Sequence, residues 1–162
     1  MLSINEVNTD VLIIGAGPAG CSAALFLSKL NIPCILTDKS TFPRDKICGD
    51  ALSGKVMELL RKLDPELPKE LSTHPDYIGS YGVIFGAPNR NTLRVPFKKE
   101  IHSLTQAPGL VAKRLHFDNF LFSKAQEKKE ILCLENTELR QFDFVNNQWV
   151  STTQNGQEYE VN

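Results

Sequence analysis

The chain has 162 residues and a formal net charge of −1; 41% of the residues are hydrophobic and 23% are charged. This composition supports a compact core and excludes an intrinsically disordered chain. The balanced charge, without any basic block, argues against a nucleic-acid partner.

Cysteine spacing and one N-terminal apolar stretch bear on the compartment. Cys21, Cys34, Cys48 and Cys133 are widely spaced and form neither a disulfide framework nor a zinc pattern, so we expect a reducing, cytoplasmic setting. The apolar stretch over residues 11–27 follows polar residues and contains three glycines and a proline. We therefore read it as neither a signal peptide nor a membrane span, although a peripheral membrane contact stays open.

The first predicted elements are a buried parallel strand over residues 10–14 and a helix that begins near Pro18. Between them, three glycines have G-x-G-x-x-G spacing. Gly15 allows the tight turn, Gly17 lets the backbone approach a pyrophosphate, and Gly20 lets the helix pack closely on the sheet. The positive end of the helix then faces the phosphates. The pattern predicts a dinucleotide-binding βαβ unit.

The second strand, over residues 34–37, ends at Asp38. In such a unit, a carboxylate at this position holds a ribose diol and repels a 2′-phosphate, so the site suits FAD or NAD better than NADP. Lys39 would argue the other way, but we interpret it as a solvated side chain.

Sequence patterns in the middle of the chain predict an irregular segment, a helix and a hairpin. Residues 40–50 contain breakers and interspersed charges, and residues 53–63 carry apolar side chains at helical spacing. Strands over 81–85 and 93–97 flank a turn at 88–91, and Pro96 indicates an edge or irregular strand.

In the last third of the sequence, we expect the chain to return to the first domain after the inserted strands. A helix over 115–129 precedes a short apolar strand at 131–134, which we expect to be the third parallel strand. Strands over 148–153 and 157–161 flank Asn155-Gly156, a dipeptide typical of a type I′ hairpin.

Three segments carry a family resemblance: Gly-Ala-Gly-Pro-Ala-Gly at 15–20, Pro-Arg-Asp-Lys-Ile-Cys-Gly-Asp at 43–50, and Lys-Arg-Leu-His-Phe-Asp at 113–118. Together they resemble the N-terminal part of the geranylgeranyl reductase-like FAD-dependent oxidoreductases, relatives of the aromatic hydroxylases and flavin-dependent halogenases. The resemblance spans essentially the whole chain, and the second segment is its most specific part.

The elements and the resemblance predict an α/β fold. We expect a Rossmann-like FAD-binding domain with a parallel sheet and an antiparallel β-ribbon, plus the start of an inserted antiparallel β substrate domain. The predicted bounds are 1–72 for the first part of the FAD-binding domain, 73–105 for the insertion and 106–162 for the second part. The family's own Gly-Asp-Ala segment follows a hairpin such as the one at the end of this chain. We therefore interpret the chain as an N-terminal fragment.

The resemblance implies FAD as the cofactor and assigns it a set of contacts. The pyrophosphate would lie on the glycine loop, the adenosine ribose on Asp38 beside Lys39, and the adenine beside the backbone near Leu139. Arg44 and Arg114 would contact the cofactor, and a backbone path would lead towards the flavin. The loop and path residues are Gly15, Gly17, Pro18, Ala19 and Gly20, and Gly49, Asp50 and Ala51.

Cys48 has two interpretations. It is either a small buried packing residue, or it lies over the flavin ring beside Lys46 and Arg44, whose charges would lower its pKa. In the second case it would act catalytically by delivering a proton during double-bond reduction. His74, His102 and His116 show no ligand spacing, so we predict no metal site.

The leading hypothesis is an FAD-dependent oxidoreductase that reduces a carbon–carbon double bond of a small apolar, isoprenoid-like molecule. NAD(P)H or another external reductant would supply the electrons. One alternative is a flavin-dependent monooxygenase or halogenase that acts on an aromatic substrate. Another is a truncated, non-catalytic nucleotide-binding module. The sequence does not specify the substrate, the electron donor or the oligomeric state.

Overall fold

The structure is a computed structural model that describes residues 10–99, 106–145, 148–153 and 158–161. The chain divides into two compact units, one made of Met1–Lys46 with Leu115–Asn162 and the other of Ile47–Arg114. These units are defined by their internal contacts, so the domain bounds given above stay a prediction.

The first unit contains a parallel sheet of three strands. β1 (Leu12–Ile14), β2 (Cys34–Thr37) and β8 (Ile131–Leu134) are ordered β1-β2-β8, and β2 pairs in parallel with both neighbours. All four β2 residues are buried, as a central parallel strand requires. The predicted parallel strand at 131–134 is therefore confirmed.

Two helices of this unit connect to the strands of the sheet: one lies between β1 and β2 in the chain, and the other precedes β8. α1 (Pro18–Lys29) begins at the predicted proline, and Asn31 follows it with a φ of 56°, a left-handed conformation that ends the helix. α4 (Arg114–Gln126) buries Phe117, Leu121 and Phe122, together with the acidic side chain of Asp118. Each helix therefore buries a mainly apolar face, and the buried face of α4 includes one carboxylate.

The first unit also contains an antiparallel ribbon of three strands: β9 (Leu139–Val145), β10 (Gln148–Thr153) and β11 (Glu158–Val161). Trp149 on β10 is about half exposed, and its ring lies 5.2 Å from that of Phe144. The two predicted strands are confirmed, whereas the predicted Asn155-Gly156 turn lies outside the described residues.

The second unit holds the remaining strands and two helices. β3 (Ala51–Leu52), β7 (Gly109–Val111) and β4 (Ile78–Ser80) form an antiparallel sheet with β7 in the centre. α2 (Gly54–Leu63) matches the predicted helix and buries Met57, Leu60 and Leu63. α3 (Leu67–Thr73) follows it after a short break and was not predicted.

The predicted hairpin is present as β5 (Gly82–Gly86) and β6 (Thr92–Pro96), which pair antiparallel. Every residue of β6 is exposed, which agrees with the edge or irregular strand that Pro96 indicated. Across the described parts of both units, no helix is long and apolar enough to cross a membrane.

Candidate functional site

The loop between β1 and α1 requires glycine at two positions. Gly15 has a φ of 97°, which strains any residue with a side chain, and its N–H donates to the carbonyl of Thr37 at 2.7 Å. A Cβ atom on Gly20 would lie 1.9 Å from the carbonyl oxygen of Gly15. The first turn of the helix can therefore approach the loop only because Gly20 has no side chain.

The N-terminus of α1 suits an anionic group. Gly17 is the N-cap residue in an extended conformation, and it has no side chain with which to cap the helix. Pro18 occupies the first turn, and that turn contains no acidic residue. Ala19 is exposed. The N–H groups and the positive end of the helix dipole at this point can therefore be satisfied by phosphate.

The carboxylate of Asp38 is connected to the glycine loop. Its Oδ2 accepts a hydrogen bond from the N–H of Ala16 at 2.9 Å, and its Oδ1 accepts one from the N–H of Ser40 at 2.9 Å. The side chain is only 7% exposed, whereas that of Lys39 is exposed. An ionised carboxylate has about four lone-pair sites, so Asp38 retains acceptor capacity for a ribose diol.

Arg44 lies between two carboxylates. Its Nη2 is 3.5 Å from Oδ2 of Asp38, and its Nη1 is 3.1 Å from Oδ2 of Asp118, a residue with no exposed side-chain surface. The guanidinium carbon also lies 5.0 Å from the ring centroid of Phe42. Arg44 thus adjoins the acid predicted to bind ribose, and its own contact with the cofactor stays a prediction.

Leu139 begins β9 and is partly buried. Its register partner in β10 is Thr153, next to an irregularity between Thr152 and Thr153. Leu139 therefore belongs to the same unit as the glycine loop, and its contact with adenine stays a prediction.

The other predicted site residues lie in the second unit, where Cys48 is exposed. The backbone N–H of Asp50 is the largest cause that lowers the pKa of its thiol, followed by a hydrogen bond from the side chain of Arg114. The N–H of Gly49 and the charge of Arg114 lower it further. The lowered pKa was predicted, but the cation that contributes to it is Arg114, whereas Lys46 and Arg44 were predicted. The interpretation of Cys48 as a buried packing residue is wrong.

The segment after Cys48 is held by backbone contacts. Asp50 has a φ of 53°, and its carbonyl accepts a hydrogen bond from the N–H of Ala112 at 2.8 Å. Ala51 pairs with Val111 across the β3–β7 ladder. A Cβ on Gly49 would meet nothing within 4 Å. The backbone strain in this segment therefore lies at Asp50, because of its positive φ.

The other three cysteines are reduced and lie in the first unit. Burial raises the pKa values of Cys21 and Cys133 to about 12, and it raises that of Cys34 as well. The thiol of Cys21 donates to the carbonyl of Ala16 at 3.1 Å. These thiols are inert near neutral pH, unlike Cys48.

A cavity of about 280 Å³ lies between β1 and the ribbon. Its lining is mostly apolar and includes Ile14, Phe142 and Trp149, but none of the predicted site residues. In the portion of the chain that is described, no group of three or more His, Cys, Asp or Glu side chains could hold a metal ion. His102 lies outside that portion.

The profile of one protein family, described as an FAD binding domain, matches residues 8–161. The chain belongs to this FAD binding domain family. The glycine loop, the uncapped start of α1 and the buried carboxylate of Asp38 suit the pyrophosphate and ribose of a bound dinucleotide, and FAD is the cofactor of this domain. The Rossmann-like α/β fold predicted from the sequence is confirmed, as is membership of the FAD-dependent oxidoreductases.

Curated relatives of this FAD binding domain catalyse several reactions. The menaquinone reductase of Mycobacterium tuberculosis is 40% identical over 73 residues, or 45% of this chain and 17% of the relative. The digeranylgeranylglycerophospholipid reductase of Sulfolobus acidocaldarius is 48% identical over 52 residues, or 31% and 12%. A 1H-pyrrole-2-carbonyl-(peptidyl-carrier protein) brominase of Pseudoalteromonas luteoviolacea is 31% identical over 118 residues, or 73% and 26%.

Among solved structures, a flavoprotein/dehydrogenase from Cytophaga hutchinsonii superposes with a TM-score of 0.77 at 23% identity, covering 95% of this chain and 37% of that one. It shows the shared fold. The chain spans about a quarter or less of the length of the curated relatives described above.

Sequence reasoning missed Asp118, which is the residue that Arg44 contacts most closely. Its signal was its position in the third family segment, directly after the buried Phe117. A carboxylate within an otherwise apolar helix face requires a cation, and sequence spacing does not identify that cation.

Proposed function

We propose that this FAD binding domain serves an oxidoreductase that reduces a carbon–carbon double bond of a small apolar, isoprenoid-like molecule. The observation that carries this proposal is the environment of Cys48, an exposed thiol whose pKa is lowered by two backbone N–H groups and by Arg114. Double-bond reduction adds a hydride to one carbon and a proton to the other. A thiol with a pKa closer to the operating pH is the better general acid.

The first unit offers the contacts that FAD needs. The glycine loop and the start of α1 would hold the pyrophosphate, and Asp38 would accept hydrogen bonds from the adenosine ribose. When bound, FAD would supply the hydride, while the chain supplies orientation and the proton at Sγ of Cys48. NAD(P)H or another external reductant would provide the electrons.

Two relatives support reduction of an apolar molecule, since their names describe reductases of menaquinone and of a digeranylgeranylglycerophospholipid. An apolar substrate also fits a peripheral membrane contact. We propose no nucleic-acid partner.

A second candidate is a flavin-dependent monooxygenase or halogenase with an aromatic substrate. The brominase supports it, because this relative aligns with more of the chain than either reductase does. The two candidates differ in their need for oxygen.

The test uses the polypeptide with its bound FAD, reduced anaerobically and offered polyprenyl quinones or prenylated lipids. We expect a saturated product without oxygen, and a decrease in rate of roughly 100-fold in Cys48→Ser, the lower end of the usual effect of general acid catalysis. Cys133→Ser serves as the control, because that thiol is only partly buried and its raised pKa makes it a poor proton donor near neutral pH. Product that forms only with oxygen would support the second candidate. A colourless protein that binds no FAD would instead indicate a non-catalytic nucleotide-binding module.

A further inference from the structure

We infer that Asp118 is a positioning residue for the ADP half of FAD: it holds Arg44 so that the guanidinium stays beside Asp38. This inference rests on the proposed function, because it assumes that the Asp38 side of the glycine loop binds FAD. Asp118 itself has no exposed side-chain surface, so it would act through Arg44 and not by touching the ligand.

The ion pairs form one chain of contacts within the first unit. The distance from Arg44 to Asp118 is 3.1 Å and the distance to Asp38 is 3.5 Å, so the buried carboxylate is the closer partner. The same Oδ2 of Asp38 that faces Arg44 also accepts the N–H of Ala16 in the glycine loop. A displacement of the guanidinium would therefore change the surroundings of the carboxylate that we propose binds ribose.

The segment that carries Arg44 is anchored to α4 and to the end of β8. The ring of Phe42 stacks on that of Phe122 with centroids 4.2 Å apart, and the N–H of Phe42 donates to the carboxylate of Glu135. The guanidinium of Arg44 lies over the Phe42 ring and forms an ion pair with Asp118 on α4. Because Phe42 is held two residues earlier and the guanidinium of Arg44 is itself paired, Arg44 has little rotamer freedom left to lose when a ligand binds.

The buried position of Asp118 determines the sign of the effect. A buried carboxylate is tolerated only when a cation compensates it, so Asp118 constrains Arg44 strongly. Removing the negative charge alone would make the site more attractive to an anionic ligand. A positioning role therefore predicts weaker binding when Asp118 is neutralised, whereas a purely electrostatic role predicts tighter binding.

The experiment measures dissociation constants for FAD and for ADP with the 162-residue chain and its variants. We expect Asp118→Asn to weaken both ligands roughly tenfold, the scale on which outer partners of ligand-binding side chains act at metal sites. In a chain that already carries Arg44→Gln, the same change should have almost no further effect, because the residue it positions is gone. Glu130→Gln is the control: Glu130 is a carboxylate of the same unit that accepts a hydrogen bond from Ser28 instead.

A fully buried substitution can prevent folding, so Arg44→Lys provides an independent test. It keeps the charge but loses the planar fork that spans two carboxylates, and FAD affinity should fall although the net charge is unchanged. Unchanged or tighter binding in folded Asp118→Asn, additive effects of the two changes, or unchanged binding in Arg44→Lys would each overturn the inference alone. No binding of FAD or ADP by the unaltered chain would overturn the proposed function together with it.

Discussion

The carboxylate of Asp38 accepts a hydrogen bond from the N–H of Ala16, 22 residues earlier in the chain, at 2.9 Å. This bond joins the end of β2 to the glycine loop that follows β1. The loop therefore depends on the acid for its shape, and the acid depends on the loop for its orientation. Four predictions follow from this site and from the thiols of the chain.

Replacing Asp38 with alanine should weaken FAD binding. The substitution removes the predicted ribose acceptor and leaves the N–H of Ala16 without its partner. Hydrogen bonds to a charged group contribute about 1.5–3 kcal/mol, so the dissociation constant should rise about 10- to 100-fold. Fluorescence titration with FAD would measure it. Asp45→Ala, which alters an exposed acid in the following segment, should bind normally; equal losses in both variants would argue against a specific ribose contact.

Gly20→Ala should destabilise the first unit and abolish FAD binding. The added Cβ would lie 1.9 Å from the carbonyl oxygen of Gly15, a backbone atom that cannot move independently of the loop. We expect a loss of about 3 kcal/mol in the free energy of unfolding, the upper end of typical overpacking effects, measured by urea denaturation. Gly86→Ala adds a methyl group that meets nothing within 4 Å and should change stability little. Wild-type stability in Gly20→Ala would contradict the loop geometry.

Arg114→Gln should make Cys48 less reactive near neutral pH. Arg114 donates a hydrogen bond to this thiol and lowers its pKa, so its removal should leave a smaller thiolate fraction and slower alkylation. The rate of iodoacetamide labelling against pH, followed by mass spectrometry of the Cys48 peptide, measures this shift. Arg94→Gln removes an exposed cation of the same unit and serves as the control. An unchanged pH profile in Arg114→Gln would show that the backbone N–H groups alone lower the pKa.

Stability should fall in alkaline solution between about pH 9 and pH 12. Burial raises the pKa of Cys21 from 9.0 to about 12, so above pH 9 the unfolded chain loses this proton while the folded chain keeps it. The free energy of unfolding should therefore decrease by about 1.4 kcal/mol per pH unit for this thiol, until the folded form also ionises. Urea denaturation at several pH values would show a shallower decline in Cys21→Ala. Cys48→Ala removes an exposed thiol and should leave the slope unchanged; a slope equally steep in Cys21→Ala would refute the assignment.

The strongest sequence signals were local. The parallel strands and α1 could be predicted because short apolar runs, glycine spacing and Pro18 each have a local physical cause. The strands β3, β4 and β7 could not be predicted in this way. They contain two or three residues each, and their pairing joins segments that are far apart in sequence.

Two further differences arise from tertiary context. Leu93 and Val95 alternate along β6 but are both exposed, because period-two patterning leads to burial only where another layer covers the apolar face. Asp118 shows the opposite case. An acid on a helix is normally solvated. Only the folded structure shows that Asp118 is buried and forms an ion pair with Arg44.

The chain contains a single tryptophan, and the place of Trp149 on the ribbon gives that fact a practical use. Intrinsic emission excited at the indole band comes from one half-exposed ring beside Phe144, in the same unit as the glycine loop. Oxidised flavin absorbs where indole emits, so an added flavin nucleotide that docks in this unit would quench that signal by energy transfer. The polypeptide therefore has a built-in optical reporter, and occupancy can be followed without attaching a dye.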